Sequence, residues 1–487
     1  MAETVLVLGA GMAGLFTALA LTPGDREITI LERDPPPPEG GVDAAFADWR
    51  RRGVGQLRHS HGFLARLREV IRHRHPALLD ALRAAGCREI VFADMLPAAL
   101  SKDYAPEPGD SELVILSSRR TTFELVMRRY VEALPGVTLV PDAFVRELVL
   151  ETAPEQPIRI KGAAGEQNGE ARTWLADVVV DAQGRLSEAR EQLIAAGVAI
   201  PEEAEPCGIV YFTRHYRRLG PDPAASAIPS NGDLDYLKFG RFPADNDCFS
   251  ITLAVPEIEE GLRAALVDPD VFEKACSQLP GLAGWIAPDI ATPISRVFGM
   301  GELTNRWRRF VNAEQRALLG YFAVGDSLIR TNPLLGRGCS FAAVESELLA
   351  TVLDEASDPA TRARLYDARV SETLRPFYEE MRDQDRASIR RAERALDPDY
   401  RPPLRARLLR SFAEDGAAVA VRSDIGLLRA AMREFNMIDP PRTWIRKPAN
   451  IMKIIGRWAR GRAANAALYP PPPGPERGKM LSALGVA

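Results

Sequence analysis

The sequence predicts an α/β protein in which a parallel-sheet domain is interrupted by a mostly antiparallel sheet and followed by a helical region. Three observations carry this. Residues 4–8, TVLVL, read as a strand buried on both faces and open at once into a glycine-rich turn and an apolar helix. Strand-like runs separated by turn residues fill 207–255. A second glycine-rich turn, within 324–340, follows another strand, and beyond Asn332 almost everything reads helical.

A chain of 487 residues exceeds one simple core, so two or three domains are expected. The net charge of -4 gives no reason to expect nucleic acid as a partner. Cys87, Cys207, Cys248, Cys276 and Cys339 lie scattered without a CxxC, the pattern of free thiols in a reducing compartment. The first strand begins at about Thr4, leaving no room for a signal peptide, and no apolar run approaches the ~18 to 20 residues of a membrane span. A cytoplasmic location is the expectation.

Taken in order, the first strand leads into Gly9, Ala10, Gly11, Met12, Ala13 and Gly14. Gly9 permits the tight turn, Gly11 lets a pyrophosphate approach the backbone, and Gly14 lets helix and strand pack closely. Free N–H groups at the helix start, around Met12 and Ala13, favour phosphate. The second strand, EITILER at 27–33, ends in Glu32, placed to accept from ribose hydroxyls, with Arg33 beside it. Strand, turn, helix, strand and acid together predict a Rossmann-type dinucleotide site. Prolines at 35–38 then break the pattern. Residues 62–85 read helical, 111–118 extended and 119–134 helical, and VRELVLE, IRIKG and TWLADVVVDAQG alternate as a meander ending in a buried strand. The proline-rich tail at 469–478 is expected to be disordered.

The second turn, VGDSLIRTNPLLGRGCS, decides between dinucleotides. Asp326 at a strand end can accept from a ribityl hydroxyl. The amides around Gly336, Gly338 and Cys339 form a second positive helix end, suited to negative charge on a reduced flavin. FAD needs both of its ends held; NAD has nothing to place here.

Further motifs fall in the same order: VGQLRHSH at 54–61, SRRTTFELVMRR with Arg120, Glu124 and Arg128 in step, DAQGRLSEAREQL at 181–193, and NPLLGRGCS. On these the chain resembles the FAD-dependent monooxygenase superfamily typified by p-hydroxybenzoate hydroxylase. It is most like the tailoring oxidoreductases whose middle loop reads roughly NPxYGQGM. The resemblance implies that Gly9, Gly11, Met12, Ala13 and Gly14 hold the pyrophosphate and Glu32 and Arg33 flank the adenosine ribose. It places Arg58 and Arg120 on the cofactor, the Val145 backbone at the adenine, Asp326 at the ribityl-phosphate region, and the helix start after Pro333, with Gly336, Gly338 and Cys339, at the isoalloxazine. For Asp181, Gly184 and Arg185 it implies contact with FAD pyrophosphate and reduced nicotinamide; the other reading is a buried strand turning sharply into a helix.

The chain departs from that pattern in places. Arg337 stands inside GRG where relatives have GQG, either as a fixed cation near the flavin or pointing to solvent. Cys339 replaces a Met, read as a packing residue or as a redox-active thiol, and Glu188 stands where relatives often have Arg. The pairs His59/His61 and His73/His75 invite a metal reading, but no partner completes a site, so none is expected. His73 and His75 read as a solvated helix end. No catalytic residue is assigned; Arg58, His61 and Arg337 are the candidates.

The organisation expected is a discontinuous Rossmann-type FAD-binding domain (1–90, 116–205 and 301–360), an inserted substrate domain (91–115 and the sheet 206–300), a helical carboxyl-terminal region (361–468) and a tail (469–487). The function expected is FAD-dependent monooxygenation, hydroxylation or epoxidation, of a small aromatic or lipophilic substrate in biosynthesis, with O2 as co-substrate and NAD(P)H as a transient reductant. A flavin-dependent halogenase (despite the missing Trp-x-Trp-x-Ile-Pro), a reductase or desaturase of lipid-like substrates, and a non-enzymatic flavin-binding protein remain as alternatives. Tyr211, Phe212, His215, Tyr236 and Phe239 read either as the ceiling of the substrate pocket or as core. Residues 442–462 carry seven Lys or Arg and no acid, with Ile451, Ile454, Ile455 and Trp458 on one helical face. This helix docks on the body or attaches to an anionic membrane surface.

Overall fold

The computed structural model describes residues 2–486 except 23, 103, 154–155, 224–227 and 312–317, the last lying within the third expected cofactor-domain segment. The fold is α/β. Five parallel strands order as Tyr321–Ala323, Val178–Asp181, Glu3–Leu8, Arg26–Leu31 and Val137–Val140, so the central strand is the first in sequence. The Val and Leu runs of two inner strands, Val5–Leu8 and Val178–Val180, are buried on both faces, as the centre of a parallel sheet requires. Helices Met12–Leu21, Arg120–Glu132 and Gly338–Glu355 pack together against it. Small residues permit the contact: Thr17 Oγ1 and Ser346 Oγ lie 3.2 Å apart. Antiparallel strands Ala143–Glu151, Ile158–Gln167 and Glu170–Leu175 send Ile158, Ile160 and Ala163 into the same core.

Because the strands are parallel and in register, Leu8, Leu31, Asp181 and Ala323 end on one edge. The loops that emerge there carry the glycine turn, Glu32, the 182–188 turn and the 324–340 turn. This is where ligands bind in sheets of this kind.

The insertion is an antiparallel sheet built on Lys238–Pro243, Cys248–Pro256 and Ile209–Arg218, with Phe298–Met300 and Ala291–Pro293 both paired to Ile209–Arg218. It has its own core, including Phe212, Phe249 and Phe272. Segment 91–115 packs differently from the expectation that put it with this sheet. Phe92 and Leu113 meet Leu428 of the helix Ile425–Phe435, and Arg429 pairs with Asp110 at 2.8 Å.

The stretch 469–478, expected to be disordered, is also a correction: Tyr469 Oη donates to Asp415 at 2.9 Å, and the Pro475 carbonyl accepts from Tyr236 Oη at 2.8 Å. Helix Arg477–Leu484 buries Met480 and Leu484 in the inserted domain's core, and Arg477 pairs with Glu259 at 2.7 Å. Two apolar residues at i and i+4 supply a stripe that the prolines before them hide in a compositional reading. His75 is corrected as well: it is buried, bonding the Leu19 carbonyl at 2.9 Å, whereas His73 is exposed. Burial pushes the His75 imidazole down from its ordinary range.

Candidate active site

A cavity of about 1190 Å³ runs along the carboxyl edge of the parallel sheet, from the first glycine turn past Asp326 to Gly338. The glycines at its near end have separate causes. Gly9 sits at φ +105°, and a Cβ there would lie 2.7 Å from the Ala182 carbonyl. At Gly14 a Cβ would fall 1.9 Å from the Gly9 carbonyl, so helix and strand close only on glycine. Gly11 has no atom within 4 Å on its open side, which faces the cavity. Such a cradle, at the start of a helix with unpaired N–H groups, fits a diphosphate.

Glu32 is buried beside this turn, accepting from Ala10 N and Asp34 N at 2.9 Å and from Arg51 at 2.8 Å. Arg51 is the hub of a buried charge cluster. Its guanidinium also meets Glu124 at 2.6 Å and Asp34 at 3.5 Å, three carboxylates around one cation. Glu124 in turn accepts from Arg120 Nε at 2.9 Å. The other side of Arg120 points to His61 Nε2 at 3.3 Å and Cys339 Sγ at 3.5 Å. His61 Nδ1 donates to the His59 carbonyl at 2.9 Å, so Nε2 carries the lone pair that faces Arg120. Burial, then the Arg120 charge, pushes His61 down to about 3, and the ring is neutral. Burial raises the Cys339 thiol, which disfavours the reactive thiolate.

The far turn is held by side chains from elsewhere. Asn332 accepts from Leu334 N at 3.1 Å and from Tyr211 Oη at 2.5 Å, and donates to Asp385 at 2.7 Å. Asn305 completes the network, donating to Asp385 at 2.6 Å and accepting from Asn332 N at 2.8 Å. Gly336 is left-handed at φ +66°, with a Cβ position 3.1 Å from the Gly62 carbonyl. Gly325 N–H donates to Glu345 at 2.5 Å; burial pushes that carboxyl up to about 8. Burial also raises Asp326, against the pull of Arg330, Arg120, Arg185 and Arg306.

The inserted sheet supplies the opposite wall. Ser60 Oγ lies 2.6 Å from Ser250 Oγ and 2.7 Å from Thr252 Oγ1, Thr252 lies 2.8 Å from Thr213, and Thr213 lies 3.0 Å from His59 Nδ1. Tyr211, Phe239, Met300 and Leu303 add apolar surface.

Of the expected cofactor residues, the cavity brings together Gly9, Gly11, Met12, Ala13, Glu32, Arg33, Arg120, Val145, Asp326, Pro333, Gly336, Gly338 and Cys339, with His61 among them. Gly14 lies behind the turn, where it serves packing. Two candidates lie elsewhere. Arg58 turns onto the carbonyls of Phe46, Ala47 and Trp49 at 2.8, 3.2 and 3.0 Å, because these unpaired acceptors sit beside it. Arg337 is neither in the cavity nor in solvent: it is buried, paired with Glu380 at 2.8 Å and set over the Phe377 ring. Gln183, Gly184 and Arg185 line the cavity, whereas Asp181 is a buried staple bonded by Ser187, Tyr321 and Ser327. Tyr211 and Phe239 reach the cavity; Phe212 and Tyr236 belong to the core. Among the described residues no three His, Cys, Asp or Glu side chains converge as metal ligands.

Sequence reasoning missed Arg51, Asp385 and Glu345. The first two leave no local trace. Glu345 does, falling on the stripe of Phe341, Leu348, Leu349 and Val352, where an acid is out of place.

Comparison with known proteins agrees with this geometry. The model of the FAD binding domain family matches residues 4–202. Protein Rv3254 of Mycobacterium tuberculosis is 26% identical over 374 residues, 72% of this chain and 73% of that protein. Kynurenine 3-monooxygenase of Salinispora arenicola is 32% identical over 200 residues, which span 39% of this chain and only 38% of that enzyme. In fold, the chain is similar to p-nitrophenol 4-monooxygenase from Pseudomonas putida (TM-score 0.58, 17% identity, 91% of this chain and 100% of that one). It is similar also to a flavin-dependent brominase (TM-score 0.57, 16% identity, 94% of this chain and 100% of that one). Residues 4–202 therefore match an FAD binding domain, and the fold is similar to that of FAD-dependent monooxygenases and of a flavin-dependent brominase.

Proposed function

We propose that this flavoprotein oxidoreductase is a monooxygenase that uses NAD(P)H and O2 to oxygenate a small aromatic or lipophilic molecule. One observation carries the reading: a single cavity joins a diphosphate cradle at Gly11 to a helix start at Gly338 and continues under the inserted sheet. A long dinucleotide with a reactive ring at one end fits that path.

When bound, FAD supplies the redox chemistry, drawing on NAD(P)H and activating O2. The chain's own residues bind and orient. The Gly9–Gly14 turn and the amides of Met12 and Ala13 would hold the diphosphate, with Glu32 at the ribose and the Val145 backbone near the adenine. The amides at Gly338 and Cys339 would present a positive helix end to the flavin ring, suited to stabilising negative charge there. Neutral His61 adds no second charge beside Arg120, whose guanidinium is paired with Glu124 on its other side. The His59, Ser60, Thr213 and Thr252 side chains offer polar groups to a substrate, while Tyr211, Phe239 and Leu303 exclude water. Likeness to kynurenine 3-monooxygenase and p-nitrophenol 4-monooxygenase favours aromatic substrates bearing amino or hydroxyl groups. The test is incubation of FAD-loaded protein with NADPH or NADH, 18O-labelled O2 and kynurenine or a nitrophenol as probe. One labelled oxygen in the product is expected. Halogenated product with bromide present, or turnover of NAD(P)H with no oxygen incorporated, defeats the proposal.

A further inference from the structure

The membrane-facing side expected for 442–462 is largely taken up. Ile454 is buried, and Trp458 packs edge-on against Phe412 and donates to Ser411 Oγ at 3.0 Å. What remains uncovered is a different surface. Helix Leu404–Ser411 buries none of its residues, and Leu404, Leu408 and Leu409 are 70%, 51% and 60% exposed. It adjoins the helix Pro448–Ala464 through the Ser411 and Phe412 contacts, and that helix leaves Met452 67% exposed with Ile455 beside it.

Charge sets this surface apart. Residues 401–413 hold Arg401, Arg405, Arg407 and Arg410 and no acid. With the seven cations of 442–462 they make eleven, so the rest of the chain keeps 51 Lys and Arg against 66 acids, a net -15. Four of the eleven are paired, Arg410 with Glu414 at 2.8 Å, Lys453 with Asp424 at 2.6 Å and, more loosely, Arg442 with Asp383 at 3.8 Å and Arg462 with Asp415 at 4.0 Å, while Arg405 and Arg407 have no ion pair among the described residues. Nearby, a hollow of about 250 Å³ is lined by Arg457 and Arg460 together with the Lys453–Asp424 pair, so two cations there are left to meet an anionic headgroup. Projecting leucines interleaved with arginines suit an interface that is apolar below and anionic above.

We propose that the helix Leu404–Ser411, together with the outer face of Pro448–Ala464, docks this protein on anionic lipid bilayers. The docking is independent of the reaction catalysed. The leucines enter the acyl boundary, and the arginines meet the headgroups.

The test is co-sedimentation of the FAD-loaded full chain with phosphatidylcholine vesicles, with and without phosphatidylglycerol. Binding is expected only with phosphatidylglycerol and is expected to fall as salt rises. The exposed-residue variant Leu404→Ser/Leu408→Ser/Leu409→Ser should bind at least about tenfold more weakly. Arg405→Gln/Arg407→Gln should lose about fivefold for each cation removed. Both should keep wild-type FAD content and melting temperature. Leu175→Ser, at an equally exposed leucine on the strand Glu170–Leu175 elsewhere in the molecule, should bind as wild type. Failure to bind either vesicle, or a leucine variant that binds undiminished, overturns the proposal. So does an equal loss in Leu175→Ser. Undiminished vesicle binding by the leucine variant with tight retention on polyglutamate would indicate a soluble acidic partner instead.

Discussion

The two ends of the cavity are both glycine turns opening onto helices, yet they are held by different forces. At the near end the backbone packs on itself, with a Cβ at Gly14 landing 1.9 Å from the Gly9 carbonyl. At the far end Gly336 and Gly325 close on the Gly62 carbonyl and Ala13 Cβ, at 3.1 and 2.7 Å from a Cβ, but Gly338, at the helix start, has only Thr331 Oγ1 within reach, at 3.7 Å. Its geometry is fixed instead by buried polar partners: Arg337 with Glu380, Asn332 with Asp385, and Gly325 with Glu345. Two of these come from the long helix Pro359–Leu396. The near end is therefore rigid chiefly by shape, and the far end chiefly by charge and hydrogen bonds. The second kind of support can be tuned by changes far from the turn itself.

The largest break in that contrast should come from the buried ion pair. Arg337→Met or Glu380→Leu alone strands a charge and is expected to cost about 3–5 kcal/mol in chemical denaturation. The double variant should recover most of it, since it strands nothing. Additive losses would mean the pair does not act as a unit. Next, Gly14→Ala should destabilise by about 1–3 kcal/mol and yield protein depleted of FAD, read from thermal melts and absorbance. Gly11→Ala sharpens the point: with no neighbour within 4 Å it should melt like wild type while binding FAD about tenfold more weakly by fluorescence titration. Equal melting losses at both glycines would undo the assignment of different tasks.

The smallest effect in acid is expected at Glu345→Gln, which keeps the shape of the protonated carboxyl. The wild-type group moves from an ordinary 4.5 up to about 8 on folding. The folded state then binds the extra proton between those values, so wild-type stability falls as pH rises from about 4.5 to about 8. The amide cannot titrate, so denaturation curves across that range should show a shallower slope in the variant. An unchanged slope would place the titration elsewhere.

How much of this was legible follows the same division. The near turn could be read because its cause is local: strand, glycines, helix and Glu32 lie within one short stretch, and each glycine's steric need repeats a general rule. The position of the far turn was legible from Asp326, Asn332 and the glycines. What holds it was not, since Glu380 and Asp385 lie on a distant helix whose pattern shows only amphipathicity. Arg337 was read as near flavin or in solvent because a sequence offers no sign of a buried partner 43 residues away. Arg58 was assigned by its motif, and the carbonyls that capture it are set by a turn without periodicity. The tail helix was masked by prolines, and Arg51 by a run of arginines in which none stands out.

The order of the parallel sheet has a consequence for synthesis. Its first strand pairs with Val178–Asp181, which pairs in turn with Tyr321–Ala323. As the chain leaves the ribosome, the edge at Asp181 waits for a strand 140 residues further on. At about 5–20 residues per second, that edge stands open for on the order of ten seconds. Through that interval the nascent chain presents an apolar, unpaired strand, a target for chaperones and for neighbouring nascent chains. Slowing translation between 182 and 320 should therefore lower the soluble yield more than slowing it after 323.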